Sequence, residues 1–281
     1  LKQARPALAL DGRSIVRTSE VISLTRTAPD GRPDHRPTLL VFTLGADQDA
    51  LRHPLLPARL RAAERDLREA CLETALEAGR RAGCRIVISS PRRLATGPDV
   101  GWIPQPGGTF GDRLRGVLDR ALVENPGPVL VVGADSPGLE AGHLRRTLEI
   151  LEADPDAVVL GPAVDGGVYL LGACRPFDAA LAAARWCERG TRASLLQSLA
   201  REGRPAVVLD TPLLDLDTRA DLERWIAAGA SAAPALRAPV ARLSRLLAGV
   251  RRPPASSAPR PAVSPWARLH SGRAPPPPTA R

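Results

Sequence analysis

The sequence predicts an α/β fold in which one domain, residues 38–229, carries a mostly parallel sheet with helices on both faces. Three observations predict it. Short apolar runs of strand length alternate with segments whose apolar residues recur at helical spacing. The runs are continuously apolar, as in strands covered on both faces. A chain of 281 residues, 44% hydrophobic and 25% charged, has enough apolar surface for one ordinary core.

Taken in order, Leu39 to Leu44 is the first apolar run, and Ala58 to Arg81 follows as a helix with Leu60, Leu67, Cys71 and Ala75 on one face. Arg85 to Ser89 is the next strand and Gly111 to Val123 the next helix. Pro128 to Val132 is a fully apolar strand, followed by a helix at Glu140 to Leu151. Ala157 to Leu160 and Val168 to Leu171 are strands, and Arg192 to Ala200 is a helix. Ala206 to Leu209 closes the sheet before a last helix, Thr218 to Ala228.

The flanks differ in composition. Residues 1–37 hold Pro6, Pro29, Gly31, Pro33 and Pro37 and are expected to be a poorly structured extension, with Ser19 to Leu24 as one candidate strand. Residues 230–281 contain no acidic residue and run through Pro253-Pro254 and Pro275 to Pro278. They are expected to form a disordered Pro/Ala/Arg-rich tail with a short helix at Val240 to Leu247. Leu1 leaves both a non-ATG start and a missing true start open.

The formal net charge of +9 sits in these flanks: residues 38–229 carry 23 Arg against 26 Asp plus Glu, whereas residues 230–281 carry nine Arg. No aromatic interleaving accompanies the tail's charge, so no specific nucleic-acid partner is expected. No stretch approaches the roughly 18–20 apolar residues of a membrane helix, and no apolar run precedes a small-residue cleavage site. A soluble cytoplasmic protein is therefore expected. Cys71, Cys84, Cys174 and Cys187 form no C-x-x-C pair and read as reduced thiols. The four His are scattered and read as surface or loop residues.

Phosphate-loop, dinucleotide-loop, zincin and nucleophile-elbow signatures are all absent. Ligands of an open α/β sheet bind beyond the carboxyl ends of its strands, and three acidic motifs lie there. Asp135 follows a strand in Gly133-Ala134-Asp135-Ser136-Pro137, where Ser136 could equally cap the next helix. Asp165 lies in Asp165-Gly166-Gly167, which is also an ordinary hairpin turn. Asp215 and Asp217 are two apart at a strand end and project to one face, although Asp217 could instead be a helix cap. Four carboxylates on one rim are costly unless they share a cation, and Mg²⁺ or Mn²⁺ held by one or two of them plus substrate phosphates would account for the set. A fourth segment, Gln105-Pro106-Gly107-Gly108-Thr109, precedes the helix that carries Arg113. Gly107 and Gly108 would let backbone N–H groups approach a phosphate, with Arg113 as cation, or would form a plain Pro-Gly turn.

In order along the chain, Q-P-G-G-T-F-G-D-R-L (Gln105 to Leu114), G-A-D-S-P (Gly133 to Pro137), G-P-A-V-D-G-G-V-Y-L-L-G (Gly161 to Gly172), Trp186 and L-D-L-D-T-R-A-D-L (Leu214 to Leu222) resemble the DUF2064 group of GT-A-like glycosyltransferases. That group is related to the molybdopterin and phospholactate guanylyltransferases. The resemblance, which runs from about Leu39 to Trp225, implies a nucleotide-diphospho-sugar transferase fold. It implies a metal at Asp135 and Asp217, and catalytic carboxylates at Asp165, on the acceptor side, and Asp215. It also implies a nucleotide or nucleotide-sugar bound by Arg52, Gly107, Gly108 and Arg113, and an acceptor of unknown identity.

The chain departs from the group in the loop after the first strand, usually F-T-K-x-P-x-x-G-x-x-K-T-R-L. Here Phe42-Thr43 leads into Leu44, Ala46, Asp49, Arg52, His53, Pro54 and Leu55 at the matching positions, and Arg52 is its one remaining cation. Thr109 likewise stands where an acidic residue is usual. The expectation is a metal-dependent glycosyl- or nucleotidyltransferase, with a degenerate binder of a nucleotide or protein as the alternative.

Overall fold

The computed structural model describes residues 35–124, 127–229 and 233–249. The chain divides into two compact units, residues 1–244 and 245–281, and the first holds the sheet. Its seven strands are β1 (Thr38–Phe42), β2 (Arg85–Ser90), β3 (Val100–Pro104), β4 (Val129–Val132), β5 (Val158–Pro162), β6 (Val168–Ala173) and β7 (Ala206–Val208). They are ordered β3-β2-β1-β4-β6-β5-β7. Neighbours run parallel except at β6, which is antiparallel to both β4 and β5.

The helices are α1 (Ala46–Arg52), α2 (Arg61–Arg81), α3 (Phe110–Glu124), α4 (Ala141–Ala153), α5 (Asp178–Ala183), α6 (Thr191–Arg201), α7 (Arg219–Ala227) and α8 (Pro234–Gly249). Strand periodicity sends alternate side chains to opposite layers. Leu40, Phe42, Val129 and Val131 pack with Leu114 and Leu118 of α3 and Leu195 and Leu199 of α6. Leu39, Val41, Leu130 and Val132 pack with Ala75 and Leu76 of α2 and Leu144 and Leu151 of α4. The expected doubly covered, mostly parallel sheet is the one found.

Three short elements carry no periodic signal of their own. β3 contains Gly101 and Pro104 and buries only Val100 and Ile103 fully. α1 has seven residues and α5 has six, too few for a helical period to emerge. The helix expected from Ala58 opens as a 3₁₀ turn, Ala58–Leu60, and becomes α-helical at Arg61.

The segment expected as a tail differs in its first part. α8 starts at Pro234, six residues before the expected Val240, and Leu236 and Leu243 are fully buried. Their spacing of seven residues, two helical turns, puts both on one face. The Arg242 guanidinium pairs with Asp66 of α2. Proline at the first helical position has no N–H to leave unpaired and a φ already set for the helix, which suits a start at Pro234. The candidate strand Ser19 to Leu24 and residues 250–281 lie outside the described residues. Among the described residues no helix is long and apolar enough to cross a membrane.

The strand order positions the site. From β1 the chain builds outward to β2 and β3, then returns to lay β4 on the other side of β1. Connections after β1 and β4 thus leave in opposite directions, opening a crevice at the carboxyl ends of these two strands.

Candidate functional site

A cavity of about 540 Å³ occupies that crevice, and its lining includes Asp49, Asp135, Asp165, Asp215, Asp217, Arg68 and Arg113. Asp135 arrives on the loop that ends β4. Asp215 and Asp217 arrive on the segment after β7, which is stitched to that loop. The Leu216 N–H donates to Asp135 O at 2.9 Å, and the Ser136 hydroxyl donates to the Asp215 carboxylate. Val164 N–H donates to Leu213 O at 2.9 Å, which ties the Asp165 turn to the same segment. Four carboxylates of the sequence motifs therefore meet in one place.

The alternative local roles resolve separately. Ser136 does not cap the next helix, which starts at Ala141; it holds Asp215 instead. Asp217 is not the cap of α7 either. Thr218 is, through a capping box in which its hydroxyl and the Asp221 carboxylate serve each other's backbone N–H groups. Asp165 does sit in the hairpin turn between β5 and β6, where its carboxylate accepts from Gly167 N–H at 2.8 Å, and it also lines the cavity. Gly166 has φ +96°, and a Cβ there would meet Arg189 O at 2.1 Å, so this turn packs too closely on the 189–192 segment for any side chain.

Burial and proximity raise Asp135, Asp215 and Asp217 together. Loss of solvent, then the Asp217 charge, pushes Asp135 up to about 6. Loss of solvent, then Asp135, pushes Asp215 up to about 8, against the Ser136 hydrogen bond. Asp217, exposed at the rim, is raised by partial loss of solvent and by Asp165. Asp49 of α1 is raised by burial while the Thr43 hydroxyl donates to it at 3.2 Å.

The sequence-read nucleotide contacts separate. Arg113 lines the cavity, with its guanidinium 5.7 Å from the Phe42 ring centroid and 6.0 Å from that of Phe110. Its Nη1 donates to Gln105 Oε1 at 2.5 Å, and Gln105 Nε2 donates in turn to Thr43 O and Ser89 O, both at 2.9 Å. Gln105 thereby ties Arg113 to the ends of β1 and β2. Gly107 and Gly108 are exposed and do not line the cavity. At the start of α3, Thr109 N–H and hydroxyl both donate to Asp112 Oδ2, at 3.1 and 2.7 Å. The Thr109 N–H and hydroxyl are thus already paired with a carboxylate. Arg52, in the last turn of α1, is exposed and also outside the cavity lining.

A different cation, Arg68, lies inside, one that no sequence motif singles out. Arg68 projects from α2, where it reads as one more charge on an amphipathic helix. Its partner Glu64, one turn earlier, is fully buried and accepts the Leu55 and Leu56 N–H groups at 2.9 and 3.0 Å. Arg68 Nε donates to Glu64 Oε1 at 3.1 Å, and an Nη donates to His53 O at 2.5 Å. The usable signal was the Glu64-x-x-x-Arg68 spacing beside the buried Leu67 and Cys71. His53 lines the cavity too, whereas His143 accepts the Glu140 N–H at 3.1 Å at the start of α4. An aromatic row, Phe42, Phe110 and Trp186, forms one wall, with centroids 5.5 and 5.7 Å apart.

The donor set suits a hard divalent cation: the clustered groups are all carboxylate oxygens whose mutual repulsion a cation would relieve. Among the described residues no three His, Cys, Asp or Glu side chains are arranged to hold a metal by themselves. A cation here would need further oxygen ligands from other molecules.

Residues 69–188 match the family model described as an uncharacterized protein conserved in bacteria, DUF2064. The match spans Asp135, Asp165 and Trp186 and stops short of Asp215 and Asp217. A crystal structure of a candidate nucleotide-diphospho-sugar transferase from Desulfovibrio desulfuricans G20 is similar with TM-score 0.65 and 18% identity, over 75% of this chain and 97% of that one. Rv0371c of Mycobacterium tuberculosis H37Rv, in a complex with manganese, matches with TM-score 0.42 and 18% identity, over 68% and 98% of the two chains. A 4-diphosphocytidyl-2C-methyl-D-erythritol synthase matches with TM-score 0.45 and 15% identity, over 68% and 97%. No curated protein matches the chain.

Proposed function

We propose that this chain, which carries a DUF2064 region on a nucleotide-diphospho-sugar transferase fold, is a metal-dependent transferase acting in the cytoplasm on a nucleotide or nucleotide-sugar. The observation that carries this reading is the meeting of Asp135, Asp215 and Asp217 in the crevice between β1 and β4, with Arg113 held at the same cavity. Asp135 and Asp217 would hold Mg²⁺ or Mn²⁺ together with the substrate's phosphates. Such a cation, when bound, neutralises charge that develops on the diphosphate as the bond to it breaks.

The rest of the work belongs to the chain's own side chains. Arg113, fixed by Gln105, adds a positive charge beside the phosphates. Ser136 holds Asp215 in place, where its carboxylate can accept a proton from an acceptor hydroxyl. Asp165, at the cavity rim, orients that acceptor. The aromatic wall of Phe42, Phe110 and Trp186 excludes water from one side.

One observation favours binding without turnover as a second reading. Arg52, Gly107 and Gly108 all lie outside the cavity lining, so these candidate nucleotide contacts do not reach it. A thermal-shift screen of nucleotides and sugar nucleotides, with and without Mn²⁺, followed by turnover assays on the hits, tests both. Mn²⁺-dependent shifts with turnover support the transferase, and shifts without turnover support the binder. No shift with any nucleotide would refute the nucleotide site.

A further inference from the structure

We propose that Arg68 of α2 is a phosphate-binding residue of this cavity, acting from one face of the sheet while Arg113 acts from the other. The inference rests on the reading above, that the cavity takes a phosphate-bearing ligand, and adds to it the residue that recognises the phosphates.

α2 and α3 cover opposite faces of the sheet. Arg68 and Arg113 therefore reach the crevice at the ends of β1 and β4 from opposite sides, and both line the one cavity. Each is fixed from behind. The Arg68 side chain is only 11% exposed, bonded through Nε to Glu64 and through an Nη to the His53 carbonyl. Arg113 is bonded to the Gln105 amide.

Neither arginine is within ion-pair distance of the cavity's carboxylates, although the Arg68 charge acts on Asp49, Asp135 and Asp217 from farther off. Among the described residues the one salt bridge of Arg68 is to Glu64, although Asp49, Asp135 and Asp217 line the same cavity. Its Nη1 has no protein partner among those residues. A guanidinium anchored at its rear edge keeps N–H donors for a planar, multi-oxygen anion. It also loses little side-chain entropy when that anion arrives. Arg189 and His53 line the cavity as well, but both are exposed. The class of ligand the two fixed guanidiniums suit is a diphosphate.

The test is calorimetric titration of the full chain with inorganic pyrophosphate in MnCl₂. The variants are Glu64→Gln, the double substitution Glu64→Gln/Arg68→Gln, Arg68→Lys, Arg113→Gln and, as control, Arg146→Gln on the exposed face of α4. The double substitution removes the Arg68 charge without leaving Glu64 buried and unpaired. Relative to Glu64→Gln, it should weaken pyrophosphate binding about tenfold to a hundredfold, as expected for charge-assisted hydrogen bonds. Arg113→Gln should do the same and Arg146→Gln should change nothing. Arg68→Lys, native by melting temperature, keeps the charge but not the fork and should lose about fivefold or more. If Asp135→Asn abolishes binding while both Arg68 variants bind within twofold of their references, the Arg68 assignment is overturned and the nucleotide-site reading stands. If the unmodified protein binds neither pyrophosphate nor any nucleotide with Mn²⁺, both are overturned.

Discussion

Replacing Glu64 with alanine strikes the contact that seats the 53–56 segment on α2. The carboxylate is fully buried, accepts two buried backbone N–H groups from Leu55 and Leu56, and pairs with Arg68 at 3.1 Å. Its loss leaves two buried donors without an acceptor, each costing about 1–3 kcal/mol, and an arginine without its ion-pair partner. Because one carboxylate serves all three groups, these costs overlap rather than add. The measured range for breaking a buried pair from one side, about 3–5 kcal/mol, is the appropriate total. In a domain of this size that lowers Tm by about 10 °C. Glu64→Gln retains an acceptor oxygen and should cost about 1–2 kcal/mol. Glu69→Ala, whose exposed carboxylate stands 3.9 Å from Arg65, should cost less than about 0.5 kcal/mol. Urea unfolding followed by circular dichroism gives the three values, and amide exchange at Leu55 and Leu56 locates the damage. A Glu64→Ala midpoint equal to that of Glu69→Ala would refute the reasoning.

Thr218 rather than Asp217 caps α7, so Thr218→Ala should destabilise by about 1 kcal/mol while Asp217→Asn leaves the urea midpoint unchanged; the reverse order would return Asp217 to a structural role. Burial pushes the Cys71 thiol up to about 12 and Cys84 to about 11, so at pH 8 a disulfide reagent should modify the exposed Cys187 first and leave Cys71 and Cys84 untouched until the protein unfolds. The nine Arg of residues 230–281 should give only weak polyanion binding that vanishes with salt, which filter binding across a salt series would check; sequence-selective binding that survives high salt would contradict it.

The sheet was legible because its central strands are continuous apolar runs, and residues such as Leu39 to Phe42 and Val129 to Val132 read the same way alone as in the fold. Short elements were not: α1 and α5 draw their stability from packing rather than from a periodic face. The acidic centre was legible for a similar reason, since strand-end positions bring Asp135, Asp165, Asp215 and Asp217 to one rim whatever the loops do. Of the cations that line the cavity, Arg113 was legible and Arg68 was not. Arg52 is close in sequence to β1 but faces solvent, whereas Arg68 belongs to a helix whose charged face looks ordinary until the buried Glu64 is seen to anchor it. Gly107 and Gly108 had the composition of a phosphate turn, but they lie outside the cavity lining, in a turn where Asp112 accepts the Thr109 N–H. The start of α8 was hidden by Pro239, which lies inside the helix, although Leu236 and Leu243 already held the helical spacing.

The proposed transferase requires a metal and a nucleotide to meet at Asp135 and Asp217. Calorimetric titration of a nucleotide into the full chain with MnCl₂, repeated for Asp135→Asn and Asp217→Asn, is the decisive measurement. Asp135→Asn should abolish Mn²⁺-dependent binding and Asp217→Asn should weaken it measurably, both with native Tm, while Asp215→Asn serves as the neighbouring-carboxylate control. Unchanged affinity in both Asp135→Asn and Asp217→Asn would contradict that requirement.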